Sequence, residues 1–357
     1  MQHKTNANLF LFLALFFAPF FLQANDSKPS GDLKTEIKEY ISHHLEDAYD
    51  FSLFSYTNAS GEHIYIGIPL PVILWDDGLQ IFSSSKLHHG EHVAQVGTNY
   101  YKLDHGKIYK TDAEGTINYD ETQHATNVAP IDLSITKGVA SMLLIAILMF
   151  YLFSSLARSY SNTGGVPAGI GRFFEPIVIY VRDEIAIPNI GEKHYRRFMG
   201  YLLTLFFFIW FLNLLGLTPL GINVTGNIAI TFCLSLITFV ITILVGKKYY
   251  WKHIFWMPGV PWPMKIILAP IELLGTIIKP FSLMIRLYAN ITAGHVVLMS
   301  IIGLMFIFKN WIGSPLSFGL AFALSLLELL VAALQAYIFT MLSALYFGSA
   351  VEEHDHH

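Results

Sequence analysis

The sequence predicts an all-α polytopic membrane protein of about five membrane helices, the last two long and tilted as a hairpin, with a small N-terminal extracytoplasmic α+β module. Three observations carry this reading. Of 357 residues, 54% are hydrophobic and only 13% charged, about half the charged fraction of an ordinary soluble domain. The apolar residues fall in blocks, several free of charge over roughly 20 positions, the length that crosses a ~30 Å hydrocarbon layer as a helix. Two blocks near the C-terminus are far longer than one crossing requires.

Residues 1–24 read as a secretory signal peptide. Lys4 gives the positive start, Leu9 to Leu22 the apolar run, and Leu22-Gln23-Ala24 a small-residue cleavage site. Cleavage leaves the mature N-terminus outside the cytoplasm; an uncleaved anchor is the alternative. Residues 25–130 are polar and aromatic and hold no spanning block. A helical stretch near Asp32 to Tyr49 precedes short alternating runs such as HIYIGIPL and GTNYYKL, separated by Gly, Asn and Asp turn signals. His43, His44, His88, His89 and His92 invite a metal reading, but adjacent surface histidines are ordinarily solvated, and no metal or cofactor is expected. A net charge of −4 gives no reason to expect nucleic acid. With one cysteine, neither a disulfide framework nor a cysteine metal site forms within the chain. Cys233 lies inside an apolar block and is expected to be a small buried hydrophobe.

The membrane domain is expected over 138–350. Its first span is GVASMLLIAILMFYLFSSLA, 138–157. Residues 158–198 are mixed and basic, with Arg158, Arg172, Arg182, Lys193, Arg196 and Arg197, and GRFFEPIVIYVRDEIAI suits an amphipathic helix at the membrane surface. Spans at about 199–219 and 226–246 follow, joined by a turn with Pro219, Gly221 and Asn223. Lys247, Lys248, Lys252 and Lys265 then mark a second basic loop around MPGVPWP. With the N-terminus outside, both basic loops fall in the cytoplasm, as the positive-inside rule requires. The expected setting is a bacterial inner membrane, with the tail EEHDHH, within 351–357, cytoplasmic and solvated.

Residues 266–308 form one apolar stretch that would be about 65 Å long as a helix. It must tilt, kink at Pro270 or Pro280, or break. After KNWIGSP, the stretch Pro315 to Phe347 is again too long for an upright helix.

Ionisable residues stand inside these two stretches: Glu272, Lys279, Arg286 and His295 in the first, Glu328 in the second. A central Arg, Lys or Asp costs about 2.5–3.5 kcal/mol on insertion scales, so each is a functional candidate. Snorkelling is the competing account for Lys279 and Glu272; it fits Arg286, flanked by FSLMI and LYANI, poorly. Glu272, Lys279 and Arg286 are spaced by seven, with Asn290 four further on, so they share one helical stripe. Glu328 and Gln335 repeat the spacing, and Tyr346 lies on the same helix. The simplest arrangement turns the stripes toward each other or toward a shared aqueous path. Arginine cannot deprotonate, so Arg286 cannot relay protons. It can lower the pKa of a carboxylate passing nearby and repel a proton moving straight through. Histidine and glutamate do exchange protons. His295 lies about 13 Å along the helix on one side of Arg286, and Glu272 about 21 Å on the other. A barrier charge between two proton-exchanging groups is the layout of two offset half-channels. The chain offers no obvious moving carboxylate of its own, so the group Arg286 acts on belongs to a partner.

IRLYANITAGH, 285–295, resembles the arginine motif of the ATP synthase a-subunit family, and LLELLVAALQAYIFTMLSALYF, 326–347, resembles that family's last helix. The likeness extends through WFLNLLGLTP and IELLGTIIKP over roughly 138–350. It implies the proton-channel subunit of the synthase membrane sector, which makes no ATP itself and carries no cofactor. It implies Arg286 beside a rotating c-ring, His295 and Glu328 as an interacting pair in the outer half-channel, Asn290 and Gln335 lining the same region, and Glu272 in the inner half-channel. Lys279 occupies a position that is often basic. The implied partners are c-ring subunits, a b-subunit stalk, other synthase subunits and lipid. The module at 25–130 lies outside the likeness. A secondary transporter binding an anion at Arg286 would show internal repeats with broken helices, and none is visible. An anchor for the module would leave the buried Arg, His and Glu unexplained.

Overall fold

The computed structural model describes residues 47–352 apart from 58–62, 77, 91, 123, 163–168, 170, 219–221, 257–259 and 308–312. The expected signal peptide, most of the helix near Asp32 to Tyr49, His43, His44 and tail residues 353–357 lie outside the described residues.

The N-terminal module is built from antiparallel strands. β1 (Asp50–Thr57) pairs with β2 (His63–Pro69). β3 (Pro71–Trp75) lies between β4 (Leu79–Ser83) and β8 (Ile131–Asp132). β5 (Ala94–Val96), β6 (Asn99–Asp104) and β7 (Lys107–Thr111) form a second three-stranded sheet. The runs HIYIGIPL and GTNYYKL become β2 and β6. In β3 the two-residue period of a strand is plain: Val72 and Leu74 are fully buried while Trp75 is exposed. Val72 and Leu74 join Phe82, Leu87, Tyr101 and Ile108 in the module's core. β8 returns the chain to the β3 sheet just before it reaches the membrane domain.

The helices are α1 (Lys137–Asn162), α2 (Gly171–Tyr180), α3 (Ile187–Ile190), α4 (Tyr195–Gly216), α5 (Ile228–Val245), α6 (Lys248–Phe255), α7 (Trp262–Ile307) and α8 (Gly313–Val351). Among the described residues, five (α1, α4, α5, α7 and α8) are long and apolar enough to cross a membrane. That is the expected number, close to the expected positions. The amphipathic segment differs in detail from one regular helix. Its α2 holds Pro176 and passes through a π-helical stretch, Val181–Ala186, before the short α3 with Pro188 near its head. A wider turn of this kind absorbs a local irregularity without ending the helix.

α7 resolves the length question: its 46 residues form one continuous helix, about 69 Å long, which neither Pro270 nor Pro280 ends. In a lipid setting a break would leave backbone groups with no water to satisfy them, so continuation is favoured. The 39 residues of α8 extend about 58 Å, and the helix packs against α7 and α4. Both exceed the hydrocarbon thickness and must lie tilted. Between them and α4 sits the main core, in which Leu202, Phe207, Ile209 and Leu212 of α4 meet Leu283 and Leu287 of α7 and Phe339 and Phe347 of α8.

α5 is polar on its inner side. Thr231, Ser235, Thr238 and Thr242 are buried, while Ile237, Val240 and Leu244 face outward. Cys233 is on that outward side and exposed, not buried as expected. The hydroxyl face, not the apolar one, is what this helix turns to its neighbours, and Cys233 lies about 190° from it on the helical wheel.

Candidate proton-conducting site

The packed strip of α7 runs through Leu283, Leu287 and Ile291. Its outward face carries Leu274, Ile278, Phe281 and Ile285, all exposed. Arg286 lies at the boundary between the two, half-buried, as are Glu272 and Lys279, with Asn290 exposed on the same flank. This is the stripe the seven-residue spacing predicts. His295 is buried and stands about 180° around the axis from Arg286. Tyr288, seven residues before it, shares its flank. Among the described residues, no hydrogen bond or ion pair to Arg286 forms.

On α8, Glu328 and Gln335 are buried and Tyr346 is half-buried. Two contacts set the antiparallel register of α7 and α8. Lys279 Nζ stands 5.5 Å from the Tyr346 ring centroid, and a Cβ on Gly294 would come 2.8 Å from Glu328 Oε1. Interpolating between them puts Gln335 level with residues 287–290, within about one turn of Arg286. Arg286 is also within electrostatic range of the Tyr346 phenol. The two polar stripes therefore face each other.

At about the level of the Gly294 contact along the helices, buried oxygens stand on α4, α7 and α8. Both carboxylate oxygens of Glu328, Thr292 Oγ1 and Asn213 Oδ1 have no hydrogen-bond partner among the described residues. Asn213 Nδ2 of α4 donates to the Ala332 carbonyl at 3.2 Å, one turn from Glu328. His295 Nε2 fills the space left by Gly216, where a Cβ would come within 3.3 Å of it. Each unpartnered buried oxygen costs about 1–3 kcal/mol, and native proteins keep such atoms few. A layer of them suits groups that exchange protons with water. His295 and Glu328 form no direct hydrogen bond or ion pair: Glu328 lies against Gly294 of α7, while His295, one residue on, turns toward Gly216 of α4.

A second polar region lies between α5, α6, α7 and α8. A cavity of about 10 Å³, near the least that holds one water, is lined by Thr238, Thr242, Tyr250, Thr276, Lys279 and Tyr346 among others. Thr238 donates to the Leu234 carbonyl at 3.1 Å and Thr242 to the Thr238 carbonyl at 2.8 Å, which leaves hydroxyl lone pairs facing inward. Tyr201 and Thr238 share a further hydrogen bond of 2.8 Å. Glu272 is not in this lining; it lies one turn from Thr276, whose hydroxyl donates to the Glu272 carbonyl at 3.0 Å.

Sequence reasoning missed Asn213, Thr292, the α5 hydroxyls, and the roles of Gly216 and Gly294. Asn213 was signalled by a carboxamide inside the apolar WFLNLLGLTP, and the hydroxyls by their spacing of four, three and four. The glycines give no signal, because their role is set by what stands opposite them. In the module, the Lys110 ammonium 2.8 Å from Asp76 holds that carboxyl below its usual range. Burial pushes the Tyr101 phenol up, and its hydroxyl donates to Asp76 at 2.9 Å. The His88 and His92 rings meet edge to face at 4.7 Å, and among the described residues no group of three potential metal ligands forms.

Residues 139–348 match the family described as ATP synthase A chain. The chain belongs to that family. All of Asn213, Arg286, His295, Glu328 and Gln335 lie within the matched residues, and membership supports a multi-pass inner-membrane protein with a role in proton transport for ATP synthesis. ATP synthase subunit a 2 of Chlorobaculum tepidum is 45% identical over 238 residues, 64% of this chain and 67% of its own length. ATP synthase subunit a of Myxococcus xanthus is 45% identical over 235 residues, 64% of this chain and 76% of its own. The subunit from an Anaeromyxobacter species is 39% identical over 276 residues, 74% of this chain but 63% of its own length. Residues 40–133 match a domain of unknown function, DUF8433, so the strand module has a family of its own beside the ATP synthase A chain region.

Proposed function

We propose that this chain is the stationary proton-conducting subunit of an ATP synthase membrane sector, forming two offset half-channels against a ring of carboxylate-bearing c subunits. One observation carries the reading. Arg286 is half-buried at the edge of the outward face of α7, level with Gln335, and lies between the Glu328–His295 layer and Glu272 along the helix. A charge in that position can meet a group passing outside the chain.

The mechanism follows from the side chains. A proton from outside passes Glu328 and His295 and neutralises a ring carboxylate. The neutral carboxyl group can move through lipid, where the charged form is costly. After almost a full turn it reaches the second half-channel, where the permanent charge of Arg286 favours the ionised form and release toward Glu272 and the cytoplasm. Asn290 and Gln335 line the region of exchange, and Lys279 adds positive charge on the inner side. Each proton crossing 100 mV contributes about 2.3 kcal/mol, so several are needed per ATP. Bond formation in ATP belongs to other subunits, and a b-subunit stalk holds this chain against rotation. Residues 1–24 act as a signal peptide, the module stands outside, and the C-terminus is cytoplasmic.

The test is Arg286→Ala in inverted vesicles, with ring assembly verified and both ATP-driven pumping and passive leak measured. Lost pumping supports Arg286 as the coupling charge, and an added leak supports it as the barrier. Normal pumping would overturn the proposal.

A further inference from the structure

A cavity of about 240 Å³ opens where the N-terminal module meets the head of α1. Its polar lining comes from four places: Asp47 of the module, Lys137 of α1, Asn223 and Asn227 of the segment before α5, and Tyr288 of α7. A water needs about 10–15 Å³ and two to four polar partners, so this space holds several. Among the described residues Asn223 Oδ1 is buried and has no hydrogen-bond partner, which leaves an acceptor at the wall. Tyr288 is two residues from Arg286 and shares its flank of α7 with His295. The cavity therefore reaches from the module to the helix that carries the exchange site.

The module is held firmly there. Asp47 accepts hydrogen bonds from Thr136 Oγ1 and the Gly138 amide, both at 2.8 Å, and the Lys137 amide donates to the Ala48 carbonyl at 2.8 Å. Phe51 packs against the membrane core. Lys137 is buried, and its ammonium interacts with the carboxylates of Asp47 and Asp50. A capping role at the head of α1 accounts for the two bonds to Asp47. It accounts for neither a roomy polar cavity nor a buried lysine beside it.

We propose that this cavity is the external mouth of the proton path, that the N-terminal module forms its outer wall, and that Asp47 is the positioning residue holding that wall against α1. This rests on the half-channel reading above. The polar lining supports a hydrogen-bonded water chain along which a proton passes by exchange.

The experiment uses the assembled synthase in membrane vesicles, with Cys233→Ala removing the single native cysteine and Asn223→Cys placed at the wall. A charged methanethiosulfonate is added from the module's side. The expected result is full modification, a fall of about tenfold in ATP synthesis driven by an imposed proton gradient, and recovery on adding dithiothreitol. Full modification with unchanged synthesis overturns the proposal, and so does a thiol that never reacts from that side. Asp47→Ala is expected to slow synthesis about threefold or more and to change the reaction rate of the thiol at position 223, with Asp47→Glu retaining most activity. An Asp47→Ala enzyme with wild-type rate and wild-type thiol reactivity removes the module from the path. If Arg286→Ala abolishes pumping while a blocked cavity does not, only this inference falls; if Arg286→Ala pumps normally, the half-channel reading itself falls.

Discussion

Gly294 and Glu328 face each other across the α7–α8 contact: a methyl group on the glycine would stand 2.8 Å from the carboxylate Oε1. The carboxylate lies against the helix backbone, one residue from His295. Gly294→Ala therefore displaces the carboxylate and leaves the helix intact. Alanine is favoured over glycine in a helix interior by about 0.5–1 kcal/mol, so thermal stability should hold or rise. Pumping should fall about tenfold. Stability and flux moving in opposite directions, read by melting and by vesicle acidification, would separate this effect from misfolding. A Gly294→Ala enzyme that pumps normally would show that the position of this carboxylate is unimportant.

Because His295 and Glu328 serve one layer from two helices, their variants should not add. Glu328→Gln keeps the volume and removes the charge; folding should be little changed while pumping drops about tenfold or more. Exchanging the two, His295→Glu together with Glu328→His, keeps one acid and one imidazole and should pump faster than either single variant. A double exchange whose loss equals the two single losses multiplied together would mean that the two act independently.

Lys279 lies over the ring of Tyr346 at 5.5 Å, an attraction of about 0.5–1 kcal/mol at partly exposed sites. Tyr346→Phe retains the ring and should be neutral in thermal melts of the solubilised chain. Tyr346→Leu should lower stability by about 1 kcal/mol, and in a Lys279→Met background that loss should shrink. Equal losses in both backgrounds would assign the effect to packing alone.

The module carries its own pH dependence through Asp76. Its carboxyl titrates lower in the folded state, chiefly because of Lys110. The resulting stability is fully present above the unfolded value of about 3.9 and is lost as pH falls through the lower folded value. Pulsed amide exchange in β6 and β7 should therefore rise on acidification below roughly pH 4, and Asp76→Asn should flatten that response. Equal acid sensitivity in both proteins would place the titrating group elsewhere.

Much of the membrane domain could be read from the chain because lipid makes the code simple. An uncharged block of sufficient length becomes a helix, as α1, α4 and α5 did within a few residues of expectation. The Glu272–Lys279–Arg286 stripe was legible for the same reason, since heptad spacing survives in any helix. Two kinds of information were hidden. Pro270 and Pro280 left the fate of α7 open, because proline breaks helices in water but backbone satisfaction outweighs it in lipid. Faces were ambiguous as well: Cys233 looked buried because apolar surroundings usually mean burial, whereas α5 turns its hydroxyls inward. The apposition of Gly294 with Glu328 and of Gly216 with His295 depends on three helices meeting, which no local pattern encodes.

The unbroken run of α7 turns residue number into angle. Between Glu272 and His295 there is no loop to absorb a change, so one inserted residue would rotate one end against the other by about 100° and lengthen the rod by about 1.5 Å. Arg286 would keep its place on the outward edge only by moving His295 away from Gly216, or the reverse. On the half-channel proposal, chain length between these positions is thus a timing element: it would set the phase at which a passing ring meets its proton donor and its proton acceptor.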